Sequence, residues 1–178
     1  MPQTELSTIE KGLISTAAAI ASGCKPCTAV TVHHSRAVGA SEKEIKRATA
    51  IGLEVKHNAY HDMYQEARKH GEIPTDDSRL DGFKGETPIE WLMATGAAFA
   101  ANFTLGLEHY SATAEQLGAT TSDLNMVLEI ARRVKAQAGR EAEKTASMVA
   151  PINRQGKSVS GGCGCTPDRV EDAANGCS

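Results

Sequence analysis

The sequence predicts an all-α protein. Only 4% of its 178 residues are aromatic, whereas small residues are plentiful, including 16 glycines. This composition suits closely packed helices better than a sheet, which favours β-branched and aromatic side chains. Long segments with the apolar spacing of helices indicate the same class, and the chain is long enough to bury one core. We expect one helical domain over residues 1–150.

The first two helices are predicted on either side of Gly23. Residues 5–22 are rich in alanine and isoleucine, as in a helix that packs tightly against its neighbours, and Gly23 ends it. The second helix should begin within residues 24–27, because Pro26 is tolerated in a first helical turn. It should end at about Val38, where a glycine follows.

The third helix is predicted from its capping signal. Ser41 and Glu44 form a capping box, in which each side chain satisfies a free backbone amide of the other residue. The helix should continue to about Gly71. Its inner face is predicted from apolar and small residues spaced three or four apart: Ile45, Ala48, Gly52, Val55, Ala59 and Met63.

The second half of the chain resembles the first half. Residues 71–86 contain Pro, Gly, Asp and Ser in a mixture that favours turns, which indicates an internal linker. A shift of 79 positions then aligns a series of identical or similar residues, among them Leu13 with Leu92, Thr16 with Thr95, Gly39 with Gly118, Glu44 with Asp123 and Val55 with Val134. A duplication explains this match better than chance. We expect two pseudo-repeated three-helix units, at about 5–70 and 86–146.

Charge and hydropathy exclude several function classes. The net charge of -3 provides no broad basic field, so nucleic acid and anionic membranes are poor partners. No apolar run is long enough for a transmembrane helix. Three of the five cysteines fall in the last 16 residues, which is not the spaced framework of a small secreted domain. A reducing, cytoplasmic location is the better expectation.

The pair Cys24 and Cys27 is the strongest chemical signal in the sequence. Two cysteines separated by two residues at a helix start can close a disulfide within one turn, and the helix N-terminus favours the thiolate. Pro26 between them restricts the backbone, which affects how the disulfide forms and opens. A redox pair is the favoured interpretation, whereas half of a zinc site or two buried apolar residues are the alternatives.

Two segments resemble a known family. Residues 19–27, Ala-Ile-Ala-Ser-Gly-Cys-Lys-Pro-Cys, and residues 39–45, Gly-Ala-Ser-Glu-Lys-Glu-Ile, are similar to the AhpD-like, carboxymuconolactone decarboxylase (alkylhydroperoxidase) superfamily. The resemblance extends over about residues 10–60 and, through the repeat, weakly over 90–140. It implies an all-helical homo-oligomer, a trimer or a hexamer.

The resemblance also implies an activity. Redox members of the superfamily reduce peroxides or pass electrons through two cysteines, which correspond here to Cys24 and Cys27. We therefore expect a thiol-disulfide oxidoreductase, peroxidase-like or disulfide-reducing, that uses a peroxide or disulfide substrate and a thiol electron donor. No cofactor is required.

Two positions depart from the pattern of the superfamily. Gly12 stands where a proton-relay glutamate is usual, and Thr31 stands where a histidine is usual. General acid-base catalysis by such groups contributes about 10² to 10⁴-fold to a reaction rate. Without them, the cleavage of peroxides should be slower. Thr31 and His34 are the replacement candidates on the same helix, and Glu10 lies half a turn from Gly12.

The last segment, residues 151–178, is predicted to be a flexible tail that contains Cys163, Cys165 and Cys177. These thiols are candidates for resolving a disulfide at the helical pair by exchange. Alternatively, Cys163 and Cys165 join Cys24 and Cys27 as ligands of a soft metal or metalloid such as copper, zinc or arsenic. The alternative function is therefore that of a thiolate-based metal-binding protein.

His57 and His61 form a second, weaker candidate for metal binding. Their spacing of four residues places two imidazoles on one helix face, where they can share an ion. No carboxylate or cysteine is placed beside them by the sequence, so a solvated or subunit-facing role is preferred.

Overall fold

The computed structural model describes residues 6–71 and 83–149. Within these two ranges the chain forms helices and no strand, which confirms the all-α class. Residues 72–82 of the predicted linker and the whole of 151–178 lie outside the described residues. The helices are α1 Thr8–Ser22, α2 Lys25–Ala37, α3 Glu42–Lys69, α4 Pro88–Ala100, α5 Thr104–Gln116 and α6 Thr121–Val149. No helix in the described part of the chain is long and apolar enough to cross a membrane.

Side-chain caps set the first residues of α1 and α3. The hydroxyl of Ser7 accepts the backbone N–H of Glu10, and the Glu10 carboxylate accepts the N–H of Ser7. This capping box explains why α1 begins at Thr8, later than the composition of the segment predicts. The predicted box of Ser41 and Glu44 forms in the same way at the start of α3.

The helices of the second half follow those of the first half at a constant distance along the chain. The bounds of α5 lie 79 residues after those of α2, and α4 and α6 match α1 and α3 to within one residue. The structure therefore consists of two three-helix units with equivalent positions, as predicted. Duplication as the origin of this arrangement stays a prediction.

The centre of the fold is the contact between α1 and α4. Helix α1 also packs against α2, α3 and α6, while α4 also packs against α3, α5 and α6. Each central helix therefore contacts the long third helix of both units. Ala17, Ala18 and Ala19 of α1 are fully buried, as are Ala94, Ala97 and Ala98 of α4. These short side chains let the helices approach closely.

The closest approach involves Gly52 of α3. A Cβ atom at this position would lie 2.6 Å from the carbonyl oxygen of Ala17 and 3.0 Å from the Cβ of Ile20. A side chain here would collide with the backbone of α1, which cannot move without disturbing the central helix pair. Glycine is therefore required by space and not by backbone angle.

The predicted inner face of α3 is confirmed except at its last residue. Ile45, Ala48, Gly52, Val55 and Ala59 are buried, whereas the side chain of Met63 is 65% exposed. Helix α3 has 28 residues and α1 has 15, so α3 is about 42 Å long against about 22 Å. The C-terminal turns of α3 extend past the helices that bury its first half, and the prediction for Met63 was wrong for this reason.

Replacing Gly52 by alanine tests this close contact. We expect Gly52→Ala to lower the free energy of unfolding by about 1 to 3 kcal/mol, because the added methyl group overpacks the α1–α3 crossing. The measurement is urea unfolding followed by circular dichroism. Gly139→Ala on α6 is the matched control, since nothing lies within 4 Å of a Cβ there, and it should raise the stability by up to about 1 kcal/mol. Equal changes in the free energy of unfolding for the two substitutions would contradict the close contact between Gly52 and α1.

Candidate functional site

The cysteine pair lies at the start of α2 and is joined by a disulfide. The Cα atoms of Cys24 and Cys27 are 5.2 Å apart, a normal separation for a disulfide. Cys24 is the N-cap residue of α2, and its sulfur accepts the backbone N–H of Cys27 at 3.2 Å. The two sulfurs therefore occupy different positions with respect to the helix end.

The local sequence explains this arrangement. Gly23 has a φ of 77°, which reverses the chain after α1 and is a conformation that few other residues adopt without strain. Pro26 occupies the first turn of α2, where a missing N–H costs no helical hydrogen bond. The turn at Gly23 thus leads directly into a helix that has Cys24 as its N-cap and Cys27 in its first turn.

Both cysteines are buried by neighbouring helices. Their side chains are 8% and 6% exposed, for Cys24 and Cys27 respectively. They cluster with Ala19 of α1, and Val134 and Ala138 of α6 pack against that cluster. The dithiol of the first unit is therefore covered by the last helix of the second unit.

A cleft between α2 and α6 opens onto Cys27. It has a volume of about 360 Å³, within the range of cavities that hold small molecules. On the α2 side it is lined by Pro26, Cys27, Val30 and Thr31, and on the α6 side by Arg133, Val134, Gln137, Arg140 and Glu141. Of the two cysteines, Cys27 lines this cleft and Cys24 does not.

Hydrogen bonds organise the polar side of this cleft. Arg140 donates from Nε and Nη2 to Oε1 of Gln137 at 3.0 and 2.7 Å. Gln137 in turn donates from Nε2 to Oε1 of Glu141 at 2.9 Å. The sequence-based reasoning did not single out these three residues. The apolar stripe of α6 indicates which face is buried, but nothing in the sequence shows that the edge of this face lies beside the cysteines.

The two replacement candidates on α2 lie in different surroundings. Thr31 lines the cleft with Cys27, and its hydroxyl donates to the carbonyl oxygen of Thr28 at 3.2 Å. His34 is exposed in the last turn of α2, about 10 Å along the helix axis from Cys27, and is not a lining residue of the cleft. The structure thus brings Thr31 to the dithiol but does not bring His34 there.

Helix packing leaves little room for a glutamate side chain at the position of Gly12. A Cβ atom on Gly12 would lie 3.1 Å from Oγ of Ser35, which is buried and hydrogen-bonded to Oγ1 of Thr16 at 3.0 Å. A glutamate at this position would have to displace these groups. Glu10 offers no replacement, since its carboxylate caps α1 through Ser7 and it lines a different cavity.

The histidine pair of α3 and the tyrosine equivalent to Thr31 do not line the cleft at the dithiol. His57 and His61 are half-buried on α3, and Nε2 of His61 lies 3.3 Å from Nε2 of Gln65. Tyr110, the counterpart of Thr31 in the second unit, is buried among aromatic rings, and its hydroxyl accepts a hydrogen bond from Asn58 at 3.2 Å. Burial raises the pKa of the Tyr110 hydroxyl.

Metal ligands do not assemble in the part of the chain that the structure describes. Residues 6–71 and 83–149 contain no group of three or more His, Cys, Asp and Glu side chains placed to hold an ion. The predicted alternative ligands Cys163 and Cys165, like Cys177, lie outside the described residues.

A larger cavity, of about 930 Å³, lies away from the cysteines among the first turns of α1, α3 and α4. Its main electrostatic feature is an ion pair in which Arg47 donates to the two carboxylate oxygens of Glu90 at 2.6 and 3.2 Å. The Glu90 carboxylate also accepts the backbone N–H of Glu86. The Arg47 guanidinium, together with this N–H, holds the pKa of the Glu90 carboxyl below its ordinary value, although burial opposes the shift.

Comparison with known families gave one match, which includes the cysteine pair. The model of the carboxymuconolactone decarboxylase family matches residues 2–56, a range that includes α1, α2 and both cysteines but less than half of the chain. The match supports the resemblance to AhpD-like proteins over this range. Comparison with curated proteins and with solved structures gave no significant match.

The ion pair between Arg47 and Glu90 predicts a pH dependence of stability. Because the pKa of Glu90 is lowered in the folded state, its ionised form stabilises the fold above its ordinary pKa. This contribution is lost as the pH falls through the lowered value. We expect Glu90→Gln to lower the free energy of unfolding by about 1 to 3 kcal/mol near pH 7. The loss should shrink once the pH is well below about 4.

Urea unfolding at several pH values measures this effect. Glu42→Gln is the matched control, because Glu42 also pairs with an arginine, Arg36, but at an exposed position. It should change the stability little at any pH. An equal loss for Glu90→Gln at low and neutral pH would contradict the role of the ionised carboxylate.

Proposed function

We propose that the protein is a thiol-disulfide oxidoreductase that cycles Cys24 and Cys27 between a disulfide and a dithiol. The observation that carries this proposal is the position of the pair in the first turn of α2, with Cys27 lining an open cleft. The match of residues 2–56 to the carboxymuconolactone decarboxylase family, which includes alkylhydroperoxidases, supports it.

The reductive half of the cycle starts at Cys27. A donor thiolate in the cleft attacks Sγ of Cys27, a new S–S bond forms between them, and the electron pair of the broken disulfide passes to Sγ of Cys24. A second donor thiol then attacks the donor sulfur of this mixed disulfide and releases the Cys27 thiolate. The products are the oxidised donor and two reduced cysteines, which take up the two protons of the donor thiols through solvent.

The helix start stabilises the leaving thiolate in this scheme. Sγ of Cys24 already accepts the N–H of Cys27, and the partial positive charge of a helix N-terminus favours a negative sulfur at the N-cap. A better leaving thiolate accelerates exchange. Cys27 is thus the cysteine on the side of the cleft, and Cys24 is the stabilised sulfur that later resolves the mixed disulfide.

The oxidative half transfers two electrons to the substrate. The Cys27 thiolate attacks one sulfur of a disulfide substrate, and Cys24 then displaces the second substrate thiolate and restores the disulfide of the protein. With a peroxide ROOH, Cys27 takes the oxygen as a sulfenic acid and ROH leaves, after which Cys24 displaces water. Because Gly12 and Thr31 supply no carboxylate or imidazole, we propose that disulfides are the better oxidants.

The tail cysteines extend this proposal. Val149, the last residue of α6, lies about 18 Å along the helix axis from Gln137. The 14 residues from Val149 to Cys163 can span up to about 50 Å. Chain length therefore allows Cys163 and Cys165 to reach Cys27, and we propose that they relay electrons to it. Binding of a soft metal by these cysteines remains the alternative, and titration of the reduced protein with Zn²⁺, with and without the tail, distinguishes the two.

The trimeric or hexameric assembly implied by the resemblance stays a prediction. Light scattering after size-exclusion chromatography measures the mass directly. A monomeric mass of 18.8 kDa in solution would contradict it.

Single cysteine variants test the order of attack. We expect Cys24→Ser to accumulate a mixed disulfide on Cys27 when it is treated with a small disulfide, because no second cysteine of the pair remains to resolve it. Cys27→Ser should accumulate several-fold less adduct, since Cys24 does not line the cleft. Intact-mass spectrometry measures the adducts, and residues 156–178 are deleted in both variants to remove the tail thiols.

The parent protein with the same deletion is the control and should show only an internal disulfide. Equal adduct formation in the two variants would contradict the assigned order. Absence of any disulfide between Cys24 and Cys27 in the oxidised parent would overturn the proposed function itself.

A further inference from the structure

Cationic side chains lie along and near the cleft at Cys27. Arg133 and Arg140 line this cleft from α6, and Lys25 is exposed two residues before Cys27. The chain as a whole has a net charge of -3, so the charge of this region is opposite to the average charge of the protein.

Carboxylates neutralise the positive charge of these arginines only in part. Arg140 donates to the neutral amide of Gln137 and makes no ion pair within the described ranges. Arg133 pairs with Glu129 at 2.8 Å, but the same carboxylate also lies 4.0 Å from Arg132. One carboxylate therefore faces two guanidinium groups, which leaves an excess of positive charge along this edge of α6.

Negative charge is scarce on the walls of the cleft. Among the described residues that line it, Glu141 is the only carboxylate, and one of its oxygens already accepts a hydrogen bond from Gln137. On the other side of the cysteines, the Lys56 ammonium lies 2.6 Å from where a Cβ of Gly23 would be. Cationic side chains therefore lie on both sides of the disulfide.

We propose that the cleft selects small thiols that carry a carboxylate, with Arg140 as the main binding residue and Arg133 as a second cation. This proposal rests on the proposed function, because the bound thiol is the electron donor. Guanidinium groups bind carboxylates through paired, charge-assisted hydrogen bonds. A volume of about 360 Å³ suits a small donor. The positive field also concentrates the attacking thiolate, which is itself an anion.

The reaction is balanced without a further reagent. Two donor thiols, RSH, reduce the Cys24–Cys27 disulfide, and the products are one molecule of RSSR and two cysteine thiols. The carboxylate of the donor stays on the arginine side of the cleft while its sulfur attacks Sγ of Cys27.

Three small thiols of different charge test this selection. The rate of reduction of the full-length oxidised protein is measured with thioglycolate, 2-mercaptoethanol and cysteamine, which are anionic, neutral and cationic. Each rate is divided by the rate of the same thiol with bis(2-hydroxyethyl) disulfide, a neutral reference that removes differences in intrinsic reactivity. We expect the normalised rate of thioglycolate to exceed that of cysteamine about 5-fold or more at low salt, and the ratio to fall as salt is added.

Charge variants assign the effect to the cleft. Arg133→Gln combined with Arg140→Gln should lower the ratio of thioglycolate to cysteamine about 3- to 10-fold, whereas Glu141→Gln should raise it. Arg68→Gln is the matched control, because it removes one exposed cation near the end of α3 and should leave the ratio unchanged.

The two possible failures are distinguishable. Reduction by all three thiols at equal normalised rates would overturn the charge selection while leaving the proposed function intact. Reduction by none of them would overturn the proposed function. A ratio that falls equally in Arg68→Gln and in the double variant would show that net charge alone matters, and would also overturn the assignment to the cleft.

Discussion

Close packing of small residues between α1 and α4 is the constraint on which the rest of the structure depends. Because these helices carry alanine at their contact, the long third helix of each unit also reaches the central helix of the other unit. Helix α6 is thereby held against α1 and against the start of α2. The dithiol is built by the first unit, but the second unit supplies the opposite wall of its cleft.

Two independent features define the chemistry at this site. The helix start makes the two sulfurs unequal, since Cys24 accepts a backbone N–H and Cys27 lines the cleft. The facing side of α6 adds the arginines and one carboxylate. In the proposed reaction, the first feature stabilises the leaving thiolate of Cys24. The second provides the charge by which we propose that the cleft distinguishes one small thiol from another.

The sequence predicts local features well and contacts between distant segments poorly. Capping residues, Gly23 and the cysteine spacing act within a few residues, so the helices and the closeness of Cys24 to Cys27 are predicted correctly. Periodicity shows which face of α6 is buried but not what it is buried against, so Arg140 and Glu141 were missed. The exposure of Met63 has the same origin, because it depends on where α1 ends beside α3. His34 was chosen by helical spacing, and the cleft opens on another part of α2.

The most direct test of the account is the redox equilibrium of the cysteine pair in the full-length protein. The protein is equilibrated in dithiothreitol buffers of graded potential, and the fraction of Cys24 and Cys27 in the disulfide is read by alkylation and peptide mass spectrometry. The account predicts one reversible two-electron transition shared by both cysteines. Cysteines that stay reduced throughout, or that are oxidised separately and with other partners, would contradict it.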